Sequence, residues 1–504
     1  MNKDQLKDSG LLLIGNIIIK LSNFFKQLIL AFFLGISEAI DIYLLAMIIP
    51  TIIQGMLGGG IGEIIVTKLN SKEEKKGFIE TYVSLFTLVT VICIIVYITT
   101  INLWTPFFVE ETFNQQLFIN LSLLFSINLI PAYFASVLKP LLYYKGHYKY
   151  YILTTFIAEL ASITLIYYLV SDIGIYAFVY GIIMNMCLQA IFYYKKTSLN
   201  FKIVIRSRIW KKNKLKLIKA AKQTLTLGLQ TLVFHLSTLS QRFLAVKYLA
   251  PGYLSSFNYA KNLSVLPSSI LLSSVITTTY IEQVRKKNNS LDEFNLYTNR
   301  MGVLFSKLSL FLQTVLMIFS PLIIVLFYRR GAFDENAVEL TLIIFQILII
   351  GFFSKIIFDF LSRTFYILSF YKSLFVGILL KTICEISILY FCINTIDNVL
   401  PIAFVISNFF ILFYMLMLLY KNNNETINLK TFVFTSILSS VTSIMIIYFY
   451  SFIIHYLLNI SLFKLASIYI IPFLLTLTIV YYYLNKIPEL KLILNLIKSK
   501  FNGK

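Results

Sequence analysis

About fourteen apolar stretches, each roughly twenty residues long, recur along this 504-residue chain, and each has the length of a helix that crosses the hydrocarbon core of a bilayer. Backbone groups in lipid must be satisfied within the segment, so such runs fold as helices. They begin near Leu11, Asp41, Phe78, Leu117, Tyr150, Ile173, Thr224, Phe257, Met301, Val338, Phe370, Val399, Phe432 and Leu465. With 58% hydrophobic and 13% charged residues and a mean hydropathy of +0.81, the chain reads as an all-α integral membrane protein, and soluble enzyme classes drop out. The first stretch has no small-residue cleavage site and is expected to be retained.

The formal net charge of +21 would suggest nucleic acid in a soluble protein, but here the basic residues sit in alternate loops. Lys72, Lys75 and Lys76 occupy one, Arg285, Lys286 and Lys287 another, and Lys421 and Lys430 a third. The intervening loops are short and nearly free of Lys and Arg, apart from Arg329 and Arg330. By the positive-inside rule both termini are expected in the cytoplasm. The longest loop, residues 195–223, interleaves Arg206, Arg208, Lys211, Lys212 and Lys214 with Ile, Leu and Trp210. It is expected to lie as an amphipathic helix on anionic lipid.

That loop separates two similar halves. Asp41 precedes Pro50 by nine residues, and Asn258 precedes Pro267 by nine. Both halves begin on the same side, which predicts a parallel repeat with a substrate site at midplane depth. The expected division is residues 1–194 as an N-lobe, 195–223 as linker, 224–420 as a C-lobe, and 421–504 as two further helices with a basic tail.

Charged groups inside the spans are costly and mark function. In the first segment Asn16, Lys20, Asn23 and Gln27 recur at helical spacing and form one polar stripe, with Lys26 at its flank. In the seventh, Thr231, His235, Thr238 and Arg242 repeat that spacing beside Gln241, and the eighth adds Asn258, Lys261 and Asn262. Cations gathered in a low-dielectric site bind phosphate strongly. Lys20, Lys26, Arg242, Lys261 and Asn262 are therefore the candidate pyrophosphate ligands, with Asn16, Asn23, Gln27, Gln54, His235, Gln241 and Asn258 as polar lining.

Span carboxylates are fewer. Asp41 is expected to cap its own helix at the N-terminus, Glu385 to pair with Lys381 one turn earlier, and Glu63 and Glu159, without a local partner, to bind protons or cations. Pro50, Gly55, Gly58, Gly59 and Pro267 supply either close packing or a hinge. Cys93, Cys187, Cys384 and Cys392 lack disulfide or metal spacing, so no metal site and no cofactor are expected.

The run from Lys20 to Lys68, including FFLGISEAIDIYLLAMIIP and the glycine-rich stretch, resembles the opening of the MurJ/MviN lipid II flippases of the MOP transporter superfamily. NYAKNLSVLP (Asn258 to Pro267) resembles that family's eighth-helix motif, and LFYRRGAFDENA (Leu326 to Ala337) its loop after the ninth helix. The resemblance implies about fourteen transmembrane helices, arranged as two six-helix lobes in a V around a cationic cavity plus two C-terminal helices. It also implies an undecaprenyl-pyrophosphate-linked sugar as cargo, moved by alternating access. The family's two first-helix arginines fall on Lys20 and Lys26, which keep the charge and lose the bidentate fork. Its arginine and glutamate after the second-helix proline fall on the Gln54–Gly55 pair and on Gly59, with Glu63 one turn later as a substitute. Its eighth-helix Asp-Arg pair falls on Lys261 and Asn262.

The expectation is a transporter rather than an enzyme, in a bacterial cytoplasmic membrane, coupled to membrane potential or to H+ or Na+. Its partners would be the lipid-linked oligosaccharide, membrane lipids and glycan-assembly enzymes, with no nucleic acid. A cation-coupled drug exporter of the same superfamily would need an acidic cavity. A membrane glycan polymerase or ligase would need a sizeable catalytic external loop, and the external loops here are short.

Overall fold

The computed structural model describes residues 3–59, 76–109, 112–197, 207–421, 429–459, 468–469 and 472. Glu63 and the start of the predicted fourteenth stretch at Leu465 lie outside them. Every described element is a helix, and the chain is an all-α membrane protein. The helices are α1 (Lys3–Leu34), α2 (Glu38–Ala46), α3 (Ile48–Gln54), α4 (Lys76–Phe108), α5 (Thr112–Tyr144), α6 (Tyr148–Ile173), α7 (Tyr176–Thr197), α8 (Ser207–Tyr248), α9 (Tyr253–Pro267), α10 (Ser273–Asn289), α11 (Leu291–Ile318), α12 (Ser320–Tyr328), α13 (Glu335–Ile350), α14 (Phe352–Ile367), α15 (Tyr371–Cys392), α16 (Val399–Lys421) and α17 (Leu429–Asn459).

Among the described residues, nine helices are long and apolar enough to cross a bilayer, or ten if α13 and α14, bent by 45° at their break, form one span. The second predicted stretch is interrupted at Met47, three residues before Pro50, and carries a π-helical turn at Gly55–Gly59. A second π-helical turn, Ser268–Leu272, directly follows Pro267. A π-helical turn thus lies C-terminal to each of the two prolines, five residues after Pro50 and directly after Pro267.

The basic segment from Ser207 onward is continuous with the seventh predicted stretch, because α8 runs unbroken to Tyr248. Its run of Lys, Leu, Ala and Gln contains no proline to stop a helix.

The chain divides into two compact units. The first comprises Met1–Leu266, Gly331–Phe333 and Ile378–Ala403. Its core is aromatic: Tyr82, Phe86, Tyr133, Tyr151 and Tyr193 pack with Val137, Leu138 and Leu141. The hydroxyl of Tyr82 bonds that of Thr224, which fixes α4 to α8. Glycines set the closest approaches. A Cβ on Gly55 would lie 2.7 Å from Thr231 Cγ2, and one on Gly228 would lie 2.8 Å from the Met56 carbonyl oxygen. The glycine-rich turn therefore packs directly on α8.

The second unit comprises Pro267–Arg330, Asp334–Gly377 and Phe404–Lys504. Its helices are joined by the fully buried Gln313 of α11. The Gln313 amide nitrogen donates to Ser443 Oγ at 2.8 Å and to the Ser439 carbonyl at 3.1 Å. Its amide oxygen accepts the Phe353 N–H at 3.0 Å, a donor left over by the break at Gly351.

Candidate functional site

All five residues read as pyrophosphate ligands belong to the first unit. They lie on three helices: Lys20 and Lys26 on α1, Arg242 on α8, and Lys261 and Asn262 on α9. Along the predicted α1 stripe, Asn16 and Asn23 are exposed, and Lys20 and Gln27 are half-buried.

Lys26 sits near the middle of the apolar span Gly15–Leu34. Its ammonium is 2.6 Å from Glu159 Oε2, with side-chain exposures of only 13% and 5%. Glu159 lies halfway along α6, on the face that carries Tyr151, Thr155, Ser162 and Ile166 inward. This carboxylate, which has no local partner in the sequence, has one on another helix. The polar run Thr154, Thr155, Glu159, Ser162 in the sequence signals a buried polar face without naming what it meets.

A second network links α8, α9 and α15. The Ser237 hydroxyl donates to Glu385 Oε2 at 2.7 Å, and the Gln241 amide nitrogen donates to Glu385 Oε1. On its other side, Gln241 Oε1 accepts from Lys261 Nζ at 3.2 Å, while that ammonium also stands 5.2 Å from the centre of the Phe257 ring. One amide therefore relays between a cation and a carboxylate in the only orientation that satisfies both. Both Glu385 oxygens accept from α8, partners on another helix that the i,i+4 spacing to Lys381 gave no sign of.

Arg242 donates to the carbonyl of Leu44, close to the interruption that separates α2 from α3. Gln54 is half-buried, and His235 faces Gly55 across the α8 contact. Asn258 and Asn262 are half-buried on α9.

Asp41 does not cap its own helix. The N-cap of α2 is Ser37, so Asp41 occupies the fourth helical position, where the backbone N–H is already bonded to the Ser37 carbonyl. Its buried carboxylate turns instead to the start of α9, accepting the N–H of Gly252 at 2.8 Å and of Ser255 at 2.6 Å. Nearby, the Tyr259 hydroxyl donates to the Gly35 carbonyl at 3.1 Å, and the Ala332 N–H to the Phe32 carbonyl at 2.8 Å. Gly35 and Gly331 have positive φ, 61° and 64°, and a side chain on either would collide with the opposing carbonyl. These loops meet by backbone contact that only glycine permits.

Among the described residues no group of His, Cys, Asp and Glu could hold a metal ion, and all four cysteines are free.

A family model described as lipid II flippase MurJ matches residues 30–470. Among solved structures, a lipid II flippase MurJ in an inward closed conformation aligns at 19% identity over 94% of this chain and 99% of that one, with a TM-score of 0.75. An inward-facing multidrug resistance MATE family transporter of the MOP superfamily aligns at 14% identity over 88% and 96%, with a TM-score of 0.58. A MOP superfamily transporter from Pyrococcus furiosus, described as having a binding pocket of reversed polarity, aligns at 14% identity over 88% and 99%, again with 0.58. No curated protein matches the chain.

Proposed function

Because the chain belongs to the lipid II flippase MurJ family, a family that moves lipid-linked precursors, we propose that its anion-binding set is Lys20, Lys26, Arg242, Lys261 and Asn262, and that this set holds the pyrophosphate of an undecaprenyl-linked sugar. The observation that carries the reading is Lys26, a buried cation at mid-span in an apolar helix. Keeping a charge at that depth is costly, and recognition of an anion that must cross the bilayer gives it a purpose. Lipid II or a related polysaccharide repeat unit serves the site equally, since both present the pyrophosphate.

Transport proceeds by alternating access and makes or breaks no bond. Asp41, which accepts two amides at the start of α9, and the backbone contact of residues 32–35 with 331–333 tie these segments of the first unit together. Direction comes from membrane potential or from a cation, H+ or Na+, since one charge crossing 100 mV is worth about 2.3 kcal/mol. Both termini are cytoplasmic, the membrane is the bacterial cytoplasmic membrane, and glycan-assembly enzymes supply and consume the cargo.

The test is translocation of a fluorescent polyprenyl-pyrophosphate-linked sugar in reconstituted vesicles. Lys20→Gln combined with Lys26→Gln is expected to abolish flipping while the purified protein keeps its helical content and elution profile. Unchanged flipping sinks the assignment. The exporter reading, by contrast, requires carboxylates open to a cationic drug, whereas Asp41, Glu159 and Glu385 all have partners in the first unit.

A further inference from the structure

The pairing of Lys26 with Glu159 points beyond anion binding to anion choice. This inference rests on the reading of Lys26 as a phosphate ligand.

Among the described residues the ion pair is the one hydrogen-bond or ion-pair contact of either side chain, with Tyr193 also in electrostatic reach of Glu159. Both partners are central in their helices, Lys26 within Gly15–Leu34 and Glu159 within Tyr148–Ile173. An anion that reaches Lys26 must therefore displace a carboxylate already in place, and it leaves that carboxylate buried. Removing one member of a buried pair is strongly unfavourable, because the other remains as an uncompensated charge. Lipid phosphodiesters such as phosphatidylglycerol carry a single negative charge. Exchanging one for Glu159 replaces one unit charge by another and gains nothing to offset the stranded carboxylate. A sugar-linked pyrophosphate carries two charges. Lys20 lies six residues before Lys26, about 9 Å along the helix and about a third of a turn around it, so engaging both takes their flexible stems and a group with two charges, whereas Glu159 offers one.

We propose that Glu159 is a specificity-determining residue: its carboxylate guards Lys26 against singly charged membrane phospholipids and yields it only to a pyrophosphate-bearing lipid. An unguarded lysine at this depth would be occupied by the anionic lipid that surrounds the protein. The apparent affinity of any ligand is reduced by the fraction of protein in which its site is open, and here that fraction is set by the ion pair.

The experiment measures binding of undecaprenyl pyrophosphate and of phosphatidylglycerol to the full-length protein in zwitterionic nanodiscs, by native mass spectrometry. Glu159→Gln is expected to raise phosphatidylglycerol binding about tenfold or more and to cut the preference for pyrophosphate by at least as much. Adding Lys26→Gln to that variant should return phosphatidylglycerol binding to the wild-type level. A Glu159→Gln protein whose preference stays within twofold of wild type overturns the proposal, as does a double variant that keeps the raised phospholipid binding. If Glu159→Gln fails to fold, the double variant Lys26→Gln with Glu159→Gln, which strands neither charge, decides. It should weaken pyrophosphate binding about tenfold and leave phosphatidylglycerol unchanged, and a parallel loss of both refutes the guard. Wild-type protein with no preference for pyrophosphate would instead sink the functional reading itself.

Discussion

Replacing Asp41 by alanine removes one acceptor that two backbone donors share. The Gly252 and Ser255 N–H groups stand 2.8 and 2.6 Å from its two carboxylate oxygens, and the residues around them, Tyr253 to Phe257, are buried. Water therefore cannot take over both donors. A buried N–H without an acceptor costs about 1–3 kcal/mol, and loss of a helix N-cap costs about 0.5–2 kcal/mol. These overlap, since the cap is those same bonds, so the expected loss is about 2–4 kcal/mol of local stability at the start of α9. Native-state hydrogen exchange followed by mass spectrometry reads this directly. With tenfold per 1.4 kcal/mol, exchange of the 252–255 amides should quicken by between about thirtyfold and several hundredfold. Asp41→Asn keeps one acceptor oxygen and should fall between. The cap has no such role if the alanine variant exchanges these amides within threefold of wild type, or if the asparagine variant is indistinguishable from alanine.

Gln241→Leu cuts the relay between Lys261 and Glu385. It should lower the thermal midpoint by several degrees, since a buried carboxylate losing a donor costs about 1–3 kcal/mol, and Gln241→Glu, which puts two carboxylates together, should be worse. Gly55→Ala adds a methyl 2.7 Å from Thr231 Cγ2 and should destabilise by about 1–3 kcal/mol; Thr231→Ser, which removes that methyl, should recover most of it in the same melting assay. In the second unit, Gln313→Leu leaves the Phe353 N–H without its acceptor and should cost about 2 kcal/mol, read as faster amide exchange at the α13–α14 break and not at α9.

Among the described residues, helices were legible wherever an apolar run had membrane length, and irregular turns stand close to Pro50 and Pro267. The reach of α8 was not legible. A basic composition looks like a loop when spans are found by hydropathy, yet Lys, Leu, Ala and Gln are good helix formers whatever the hydropathy says. Partners were the least legible. Lys26 and Glu159 belong to separate helices, and which face of α6 meets α1 is decided by packing, with no local pattern to announce it. For Asp41, proximity to a helix start suggested a cap on that helix. The position of Ser37 as N-cap shifts Asp41 by one turn, past the reach of its own orphan donors.

Counting charges in the spans overstates the uncompensated charge that they carry. Lys26 is balanced by Glu159, Lys261 is tied through Gln241 to Glu385, and Arg242 is turned to a backbone carbonyl. This follows from the bilayer as solvent. A carrier that kept four uncompensated cations at midplane depth between cargoes would bear a penalty of several kcal/mol for each. Its resting state would then fill with the nearest anionic lipid or unfold. Pairing Lys26 with Glu159 lowers that penalty, and on the proposed reading it turns cargo binding from simple attraction into exchange. The affinity of such a site is a difference between two sets of contacts, so it can be tuned by the internal partner as readily as by the ligand. Lysine then has an advantage over arginine at Lys20 and Lys26, because a compact ammonium on a flexible stem can change partners without surrendering a rigid two-point fork. Lys26→Arg should accordingly hold Glu159 more tightly and slow flipping of the same cargo, while a variant that flips at the wild-type rate would refute the exchange.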